Sequence, residues 1–335
     1  MSNGRVAYVH GTIPRGDQAR ALFSNLGVLK KLAASRTAFV KLNLCAAQRY
    51  DSASGVCTST ASLVDLVHAL RDCAPGLRIL AGDSDSTGYG FAHDKFRHQA
   101  LPEAAEREDF TLVDLSRDET VLMPCNGSFF PELPLARSVA EADFFISLSK
   151  IKTHNITRVT GTIKNCFGLL PQGEKKRYHP YLDAVLADIH NTRPPDLCLL
   201  DGRPAMQGNG PIHGEPVDLG LTILGDDALA TDLEMCRLIG IRPAGVSHLR
   251  GLARQLGRDV AALPALVGLE PRPAAIRFRE PPGSQQRLIR LGLGVQSVGA
   301  NIEELGHLVH FAQKMGDLRK LRRFAGRVYR KGRLF

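Results

Sequence analysis

The sequence has no apolar run that approaches the ~18–20 residues needed to cross a bilayer, so no membrane-spanning segment is predicted. It also lacks an amino-terminal basic region followed by an apolar stretch and a cleavage site, so no secretory signal is expected. The compartment that follows from these two absences is the cytoplasm.

The seven cysteines are dispersed, with no C-x-x-C pair among them. An odd and scattered set argues against a disulfide framework, a zinc ribbon and a ferredoxin-like cluster. An iron–sulfur or redox protein is a lesser alternative, which requires cysteines of different subunits to meet at one cluster. Cys166 lies inside the basic segment described below, and we interpret it as a pocket-wall residue in preference to a reactive thiol.

Several motifs of well-known activities are absent too. The sequence contains no H-E-x-x-H pair, no Walker loop, no G-x-G-x-x-G after a predicted strand and no G-x-S-x-G elbow. ATP hydrolysis, NAD binding and acyl hydrolysis therefore have no support in the sequence.

The composition is that of a globular protein, with 44% hydrophobic and 23% charged residues in a chain of 335. The net charge of +9 is concentrated in residues 314–335, which hold nine basic residues and one aspartate. The rest of the chain is nearly neutral, so no specific nucleic-acid partner is predicted. The basic segment predicts an amphipathic helix, which either packs on the main domain or contacts a membrane surface or a protein.

Short apolar runs rich in β-branched residues alternate with helical patterns over the first 265 residues. Strands are predicted at 6–12, 37–44, 77–84, 110–116, 144–150, 197–202 and 219–226. Helices are predicted at 17–32, 60–73, 180–191 and 228–239. This alternation predicts an α/β fold with a mostly parallel, Rossmann-like sheet and helices on both faces.

Prolines cluster after residue 265 and end this pattern. Residues 1–265 are therefore predicted to form the α/β domain, and 266–335 a carboxyl-terminal helical extension. Within the domain, residues 45–59 and 203–217 are predicted to be long irregular loops, which are usually functional.

The densest group of reactive side chains lies in residues 150–179, directly after a predicted strand. Five lysines, two histidines and several threonines share these thirty positions. In open α/β sheets, ligands bind beyond the carboxyl ends of the strands. Because lysines supply charge and hydroxyls and backbone N–H groups supply directed donors, the segment predicts a site for a small carboxylate or phosphate.

The same segment carries a resemblance to a known family. Its order of K-x-K-T-H, T-G-x-I-K-N-x-F-G and a basic run ending in His resembles the family named domain of unknown function 362. Further matching segments contain Asp201-Gly202 and Asp226-Asp227, and the resemblance spans about residues 37–245. Some relatives are iron–sulfur proteins through an added ferredoxin-like cysteine cluster. This chain lacks that cluster, so the resemblance does not imply the same activity here.

Lys152, His154 and Lys164 are the predicted catalytic residues. Alternate positions of an extended backbone place Lys152 and His154 on one face, where a lysine of lowered pKa and a histidine can move protons. Two alternatives are a purely electrostatic clamp and a solvated loop. The predicted substrate-binding residues are Lys41, Asn43, Lys150, Thr153, Thr162, Asn165, Lys176, His179 and Asn209.

Four aspartates lie at or directly after the ends of predicted strands and are candidate metal ligands. They are Asp83, Asp85, Asp201 and Asp227. Short carboxylates at one edge of a sheet suit a divalent cation such as Mg²⁺, or the hydroxyls and ammonium of a substrate. No diagnostic ligand spacing supports the metal, and an aspartate at a strand-to-helix junction is commonly an N-cap, which fits Asp227 in particular.

These features favour an enzyme that acts on a small anionic molecule in a biosynthetic setting. Lysine and histidine acid–base chemistry, or metal-assisted chemistry, is the predicted mechanism. The residues do not distinguish a lyase from an isomerase, a transferase or an oxidoreductase. The main alternative is a non-enzymatic module that binds a ligand or metal and delivers it to a partner through the basic carboxyl-terminal segment.

Overall fold

The computed structural model describes residues 3–45, 50–85, 92–171, 175–268, 270–283 and 286. The strands are β1 (Arg5–His10), β2 (Thr37–Lys41), β3 (Arg78–Asp83), β4 (Thr111–Asp114), β5 (Thr120–Pro124), β6 (Glu132–Ala136), β7 (Phe144–His154), β8 (Arg158–Val159), β9 (Leu197–Asn209), β10 (His213–Val217), β11 (Leu221–Gly225) and β12 (Ala265–Leu266). The helices are α1 (Gly16–Asn25), α2 (Leu29–Ala34), α3 (Thr60–Cys73), α4 (Ala92–His98), α5 (Leu101–Arg107), α6 (Arg137–Ala140), α7 (Gly161–Asn165), α8 (Leu182–Thr192), α9 (Ala228–Leu238) and α10 (Ser247–Gln255).

The main sheet has the strand order β12-β1-β11-β9-β7-β2-β3-β4. Strands β9, β7, β2, β3 and β4 are parallel, whereas β11 is antiparallel to both β9 and β1. Strand β7 lies at the centre, and all eleven of its residues are buried. The carboxyl ends of the parallel strands therefore meet at one edge, with β7 in the middle.

Helices cover both faces of the sheet. The first five helices, α1 through α5, pack on one face of the sheet and share one hydrophobic core with it. The other five, α6 through α10, form a second core with the opposite face. The predicted α/β fold with a mostly parallel sheet and helices on both faces is therefore confirmed. A buried parallel strand with apolar side chains on both faces is what the continuous apolar runs of the sequence indicated.

All seven predicted strands and all four helical regions are present, and the boundaries of all but α3 differ from the prediction. The predicted helix 17–32 is divided into α1 and α2, because Gly27 between them has a positive φ of 75°. The strands β5, β6, β8, β10 and β12 were not predicted, and β8 and β12 have only two residues each.

The prediction of a long irregular loop at 203–217 is wrong. Strand β9 continues to Asn209 and pairs antiparallel with β10, so this segment forms a hairpin. The Thr153 carbonyl lies only 2.0 Å from where a Cβ of Gly210 would be. The hairpin turn therefore packs directly on the end of β7, and glycine is what allows this approach.

The chain continues along the α/β domain after residue 265. Strand β12 pairs with β1, and the backbone N–H groups of Ile276 and Phe278 donate to the carbonyls of Leu238 and Ile239 at 2.7 and 3.0 Å. The division into domains at residue 265 stays a prediction, and the predicted basic helix of 314–335 lies outside the described residues. Within the described ranges, no helix combines the length and apolarity that crossing a membrane requires.

Candidate functional site

Side chains from β2, β3, β7 and β9 meet at the carboxyl edge of the sheet. Lys41 ends β2, Asp83 ends β3, and Asp201 lies in β9 opposite Lys150 of β7. The register between β7 and β9 shifts after Lys150, so that Lys152 pairs with Met206. Pairing of β7 with β2 ends at Ser147, so β7 continues beyond the end of β2. Its polar carboxyl-terminal residues thereby reach the site.

Lys150 forms a buried ion pair with Asp201. The Lys150 Nζ lies 2.9 Å from Asp201 Oδ2, and both side chains are 0% exposed. Asp201 also accepts hydrogen bonds from Ser62 Oγ at 2.8 Å and from the Arg203 backbone N–H at 2.9 Å. Since these donors occupy both carboxylate oxygens, the pair acts as an internal support beneath the site.

Lys41 forms a second buried pair with Asp83. The Lys41 Nζ lies 2.7 Å from Asp83 Oδ1 and 2.6 Å from the Leu42 carbonyl. The other oxygen, Asp83 Oδ2, accepts the Leu44 backbone N–H at 2.8 Å. The carboxylate thereby fixes the chain as it leaves β2, and it brings Lys41 to the floor of the site.

Further lysines surround this pair. Lys95 of α4 donates to the Ser84 carbonyl at 3.2 Å, and Lys175 donates to Ser84 Oγ. Lys164 of α7 lies over the Phe167 ring, with its Nζ 4.7 Å from the ring centre. The lysine cluster comprises Lys41, Lys95, Lys152, Lys164 and Lys175.

Burial lowers the pKa of several members of the lysine cluster. Burial, opposed in part by nearby acids, lowers the pKa of Lys175 to about 7 and that of Lys164 to about 8. Burial also lowers the pKa of Lys95, and the charge of Lys41 adds to this effect. Among the described acidic groups, Asp83 acts on all three of these lysines, Asp85 acts on Lys95 and Lys175, and the Cys45 thiol acts on Lys95 and Lys164. The described side chains alone thus leave the cluster with an excess of positive charge.

Lys152 is fully buried at the end of β7. Its Nζ donates to the Val56 carbonyl at 2.6 Å and contacts Cys45 Sγ at 3.2 Å. The predicted catalytic lysine is therefore held against the segment before α3 by a carbonyl and a thiol. The other predicted catalytic lysine, Lys164, has a lowered pKa that suits a general base.

His154 ends β7 with its ring almost wholly buried. The Ile156 backbone N–H donates to His154 Nδ1 at 3.0 Å, so a neutral ring carries its proton on Nε2. Burial, and then the charges of Lys164 and Lys152, hold the pKa of His154 well below its ordinary value. His154 is therefore a neutral hydrogen-bond donor at physiological pH.

The predicted residues Asn43 and Asn165 form a buried amide pair. Asn43 Nδ2 donates to Asn165 Oδ1 at 3.0 Å, and Asn165 Nδ2 donates to Ser147 Oγ at 3.1 Å. Asn43 Oδ1 is buried and has no hydrogen-bond partner among the described residues. This oxygen can accept a hydrogen bond from a ligand, whereas Asn165 mainly orients its neighbour.

The predicted residues Thr153 and Thr162 have structural contacts. Thr153 Oγ1 donates to the Gly208 carbonyl at 2.9 Å and so holds the β9–β10 hairpin. The backbone N–H of Thr162 donates to Asp232 Oδ1 at 2.6 Å at the start of α7. Burial raises the pKa of Asp232 to about 7.

Two of the remaining predicted contact residues, His179 and Asn209, can be placed. His179 packs beside Phe167, with ring centres 5.4 Å apart, and thus lies near Lys164. Asn209 ends β9, and its Oδ1 is buried without a partner among the described residues. The side chain of Lys176 lies outside the described part of the structure.

The predicted metal ligands do not come together. Asp227 lies at the opposite edge of the sheet because β11, which precedes it, runs antiparallel to β9. There it caps α9 by accepting the Ala230 N–H, pairs with Arg258 at 2.9 Å and borders a groove of about 580 Å³. Asp85 stays near the lysine cluster. No group of three His, Cys, Asp or Glu residues suited to a metal occurs within the described ranges.

Four residues of the site were not predicted from the sequence. Lys95, Lys175, Ser84 and Cys45 were not among the predicted site residues, although all four contact it. Lys175 had a signal, because it lies in the basic run 175–177. Lys95 and Cys45 had none, since α4 and the segment after β2 reach the site only through the tertiary fold.

Gly168 packs against the Lys41–Asp83 pair. A Cβ at this position would lie 2.7 Å from Lys41 Nζ and 2.8 Å from Asp83 Oδ1. We expect Gly168→Ala to lower the free energy of unfolding by about 1–3 kcal/mol, measured by urea denaturation, because the pair must move. Gly251→Ala in α10 is the control, since no atom lies within 4 Å of its Cβ and a gain of up to about 1 kcal/mol is expected. Equal stability of the two variants would contradict the close packing.

More than half of the chain matches one known protein family. The family model described as "Domain of unknown function (DUF362)" matches residues 39–237. The chain belongs to the DUF362 family. The match covers β2 to α9 and hence the strand ends that build the site, and it confirms the resemblance predicted from residues 37–245.

Two individual proteins are similar to this DUF362 protein. The Thylakoid-associated protein sll1697 of Synechocystis sp. is 31% identical over 156 residues, which are 44% of this chain and 45% of that protein. The aligned part thus spans less than half the length of that relative. The structure of the lactate racemase apoprotein from Thermoanaerobacterium thermosaccharolyticum gives a TM-score of 0.46 at 14% identity, covering 71% of this chain and 57% of that one.

Proposed function

We propose that this protein is an enzyme that binds a small carboxylate or phosphate at the lysine cluster and transfers a proton to or from it. The observation that carries the proposal is the burial of several lysines beside few carboxylates. Buried charge is unfavourable unless it is paired, so an anionic ligand would stabilise these lysines. The lowered pKa values of the buried Lys164 and Lys175 support a functional site at this position.

Lys164 is the proposed general base. With a pKa of about 8, a substantial fraction of its amine is neutral near physiological pH, whereas an ordinary lysine is almost wholly protonated. His154 would donate from Nε2 to the ligand, and Asn43 Oδ1 would accept a hydrogen bond from it. Lys41 and Lys175 would hold the negative charge.

Proton uptake on binding is a direct test. An anion raises the pKa of a lysine that holds it. Binding of inorganic phosphate or succinate at pH 8 should therefore make Lys175 take up roughly one proton from solution. Isothermal titration calorimetry in buffers of different ionisation enthalpy measures this number. We expect Lys175→Met to abolish most of this uptake. Lys30→Met, which changes an exposed lysine away from the site, should leave it unchanged.

Turnover distinguishes the enzyme from the alternative of a binding and delivery module. In deuterium oxide, an enzyme of this kind should exchange a hydrogen next to the carboxylate in one member of a panel of small carboxylic acids, as followed by NMR. Lys164→Met should abolish the exchange. Binding without exchange of any tested acid would favour the module, and a failure to bind any anion would overturn both.

A further inference from the structure

Two cysteines from different segments lie side by side next to Lys152. Cys45 follows β2, and Cys57 precedes α3. The two segments are joined by hydrogen bonds from the Thr58 N–H to the Asn43 carbonyl at 2.9 Å and from the Asn43 N–H to Thr58 Oγ1 at 2.8 Å. Cys45 Sγ also lies 3.4 Å from the carbonyl of Val56, the residue before Cys57, so the two cysteines occupy neighbouring positions on the joined segments.

The surroundings of Cys45 favour its thiolate. Its Sγ lies 3.2 Å from the Lys152 ammonium and 3.4 Å from the Val56 carbonyl. The hydrogen bond from Cys57, followed by the charges of Lys152 and Lys95, lowers the pKa of Cys45 despite its burial. The same hydrogen bond and burial raise the pKa of Cys57 well above its usual value. The two sulfurs thus form an asymmetric pair of one nucleophile and one proton donor.

The other cysteines differ from this pair. Cys45 is partly exposed, whereas the remaining six are buried. Burial raises the pKa of Cys73, Cys166, Cys198 and Cys236. A chemical reagent should therefore distinguish Cys45 from every other thiol of the chain.

We propose that Cys45 and Cys57 form a redox-active dithiol, in which the Cys45 thiolate reacts with a hydroperoxide and Cys57 resolves the product into a disulfide. Neither lysine acid–base chemistry nor anion binding requires this reaction. The proposal therefore stands independently of the proposed function, and its readout is the chemistry of the thiols alone.

The reaction balances with hydrogen peroxide as the oxidant. The Cys45 sulfur attacks one peroxide oxygen, the O–O bond breaks, and the departing hydroxide takes up a proton to become water. The resulting sulfenic acid is attacked by the Cys57 sulfur, the S–O bond breaks, and the second hydroxide leaves as water with the Cys57 proton. Overall, two thiols lose two electrons and two protons, and one peroxide is reduced to two waters.

Mass mapping of the full chain tests the proposal. The reduced protein is treated with hydrogen peroxide, its remaining thiols are alkylated, and its peptides are analysed with and without dithiothreitol. We expect two of the seven thiols to be lost. A reducible crosslink should join the peptides of Cys45 and Cys57. A crosslink between other cysteines, or an unreacted Cys45, would overturn the proposal.

Three variants separate the roles of the groups. Cys57→Ser should halt the reaction at the sulfenic acid, which dimedone traps as one adduct on Cys45. Lys152→Met should slow the alkylation of Cys45 at pH 7 by about tenfold or more, because the ammonium that favours the thiolate is gone. Cys73→Ser should change neither result. Adduct formation spread evenly over all thiols in Cys57→Ser would contradict the assignment of Cys45 as the nucleophile.

Discussion

Replacing Asp201 with alanine is expected to lower the free energy of unfolding by about 3–5 kcal/mol. The substitution leaves the ammonium of Lys150 without its carboxylate in a position with no solvent exposure. It also removes the acceptor of Ser62 Oγ and of the Arg203 backbone N–H. Urea denaturation with a constant m-value measures the loss.

A second substitution identifies the cause of that loss. Adding Lys150→Met to Asp201→Ala removes the unpaired charge, so part of the lost stability should return. Glu119→Gln is the control, because Glu119 pairs with Arg137 on the exposed surface and its loss should leave the unfolding midpoint unchanged. If Asp201→Ala were as stable as this control, Lys150 would again be a candidate for substrate binding.

Lys175→Met is expected to stabilise the ligand-free protein at pH 6 while it weakens anion binding. The fall in the pKa of Lys175 from 10.5 to about 7 corresponds to a cost of roughly 5 kcal/mol when the lysine is charged. The unfolded chain binds more protons than the folded protein between these two pKa values. The stability contributed by this group therefore rises as the pH increases from about 7 to about 10.

The pH dependence of unfolding measures this effect. Lys175→Met should gain up to roughly 5 kcal/mol over the wild type at pH 6, and the gain should vanish above about pH 10. Inorganic phosphate should flatten the profile of the wild type, because a bound anion restores the pKa of the lysine. Lys30→Met should keep the wild-type slope. A loss of stability in Lys175→Met at pH 6 would show that Lys175 supports the fold in its charged form.

The sequence was sufficient to predict the fold because the main strands and helices carry strong periodic signals. The eleven buried residues of β7 begin with the apolar residues Phe144, Phe145 and Ile146, and α3 has the same bounds as predicted. The direction of β11 could not be read in the same way. An apolar strand has the same pattern whether it runs parallel or antiparallel, and this direction moved Asp227 to the far edge.

The candidate site was only partly predictable. The motif that contains Lys152, His154 and Lys164 identified the centre of the site, because polar residues rarely follow a buried strand without a reason. The sequence could not show that Lys150 is paired with Asp201, since the two residues are fifty-one positions apart. Cys45 was missed because the groups that it contacts, Lys152 and the Val56 carbonyl, lie far from it in the sequence.

The position of β1 has a practical consequence for how the protein can be shortened. Residues 39–237 match the family, yet the partner of β11 is β1, which begins at Arg5 and pairs with it over five residues. A protein trimmed to the matched residues would present the unpaired backbone of β11 and would uncover the apolar surface on which Val6 and Ala7 pack. Open strand edges of this kind recruit other chains. Such a fragment is expected to aggregate on expression, whereas one that begins before β1 should remain monodisperse.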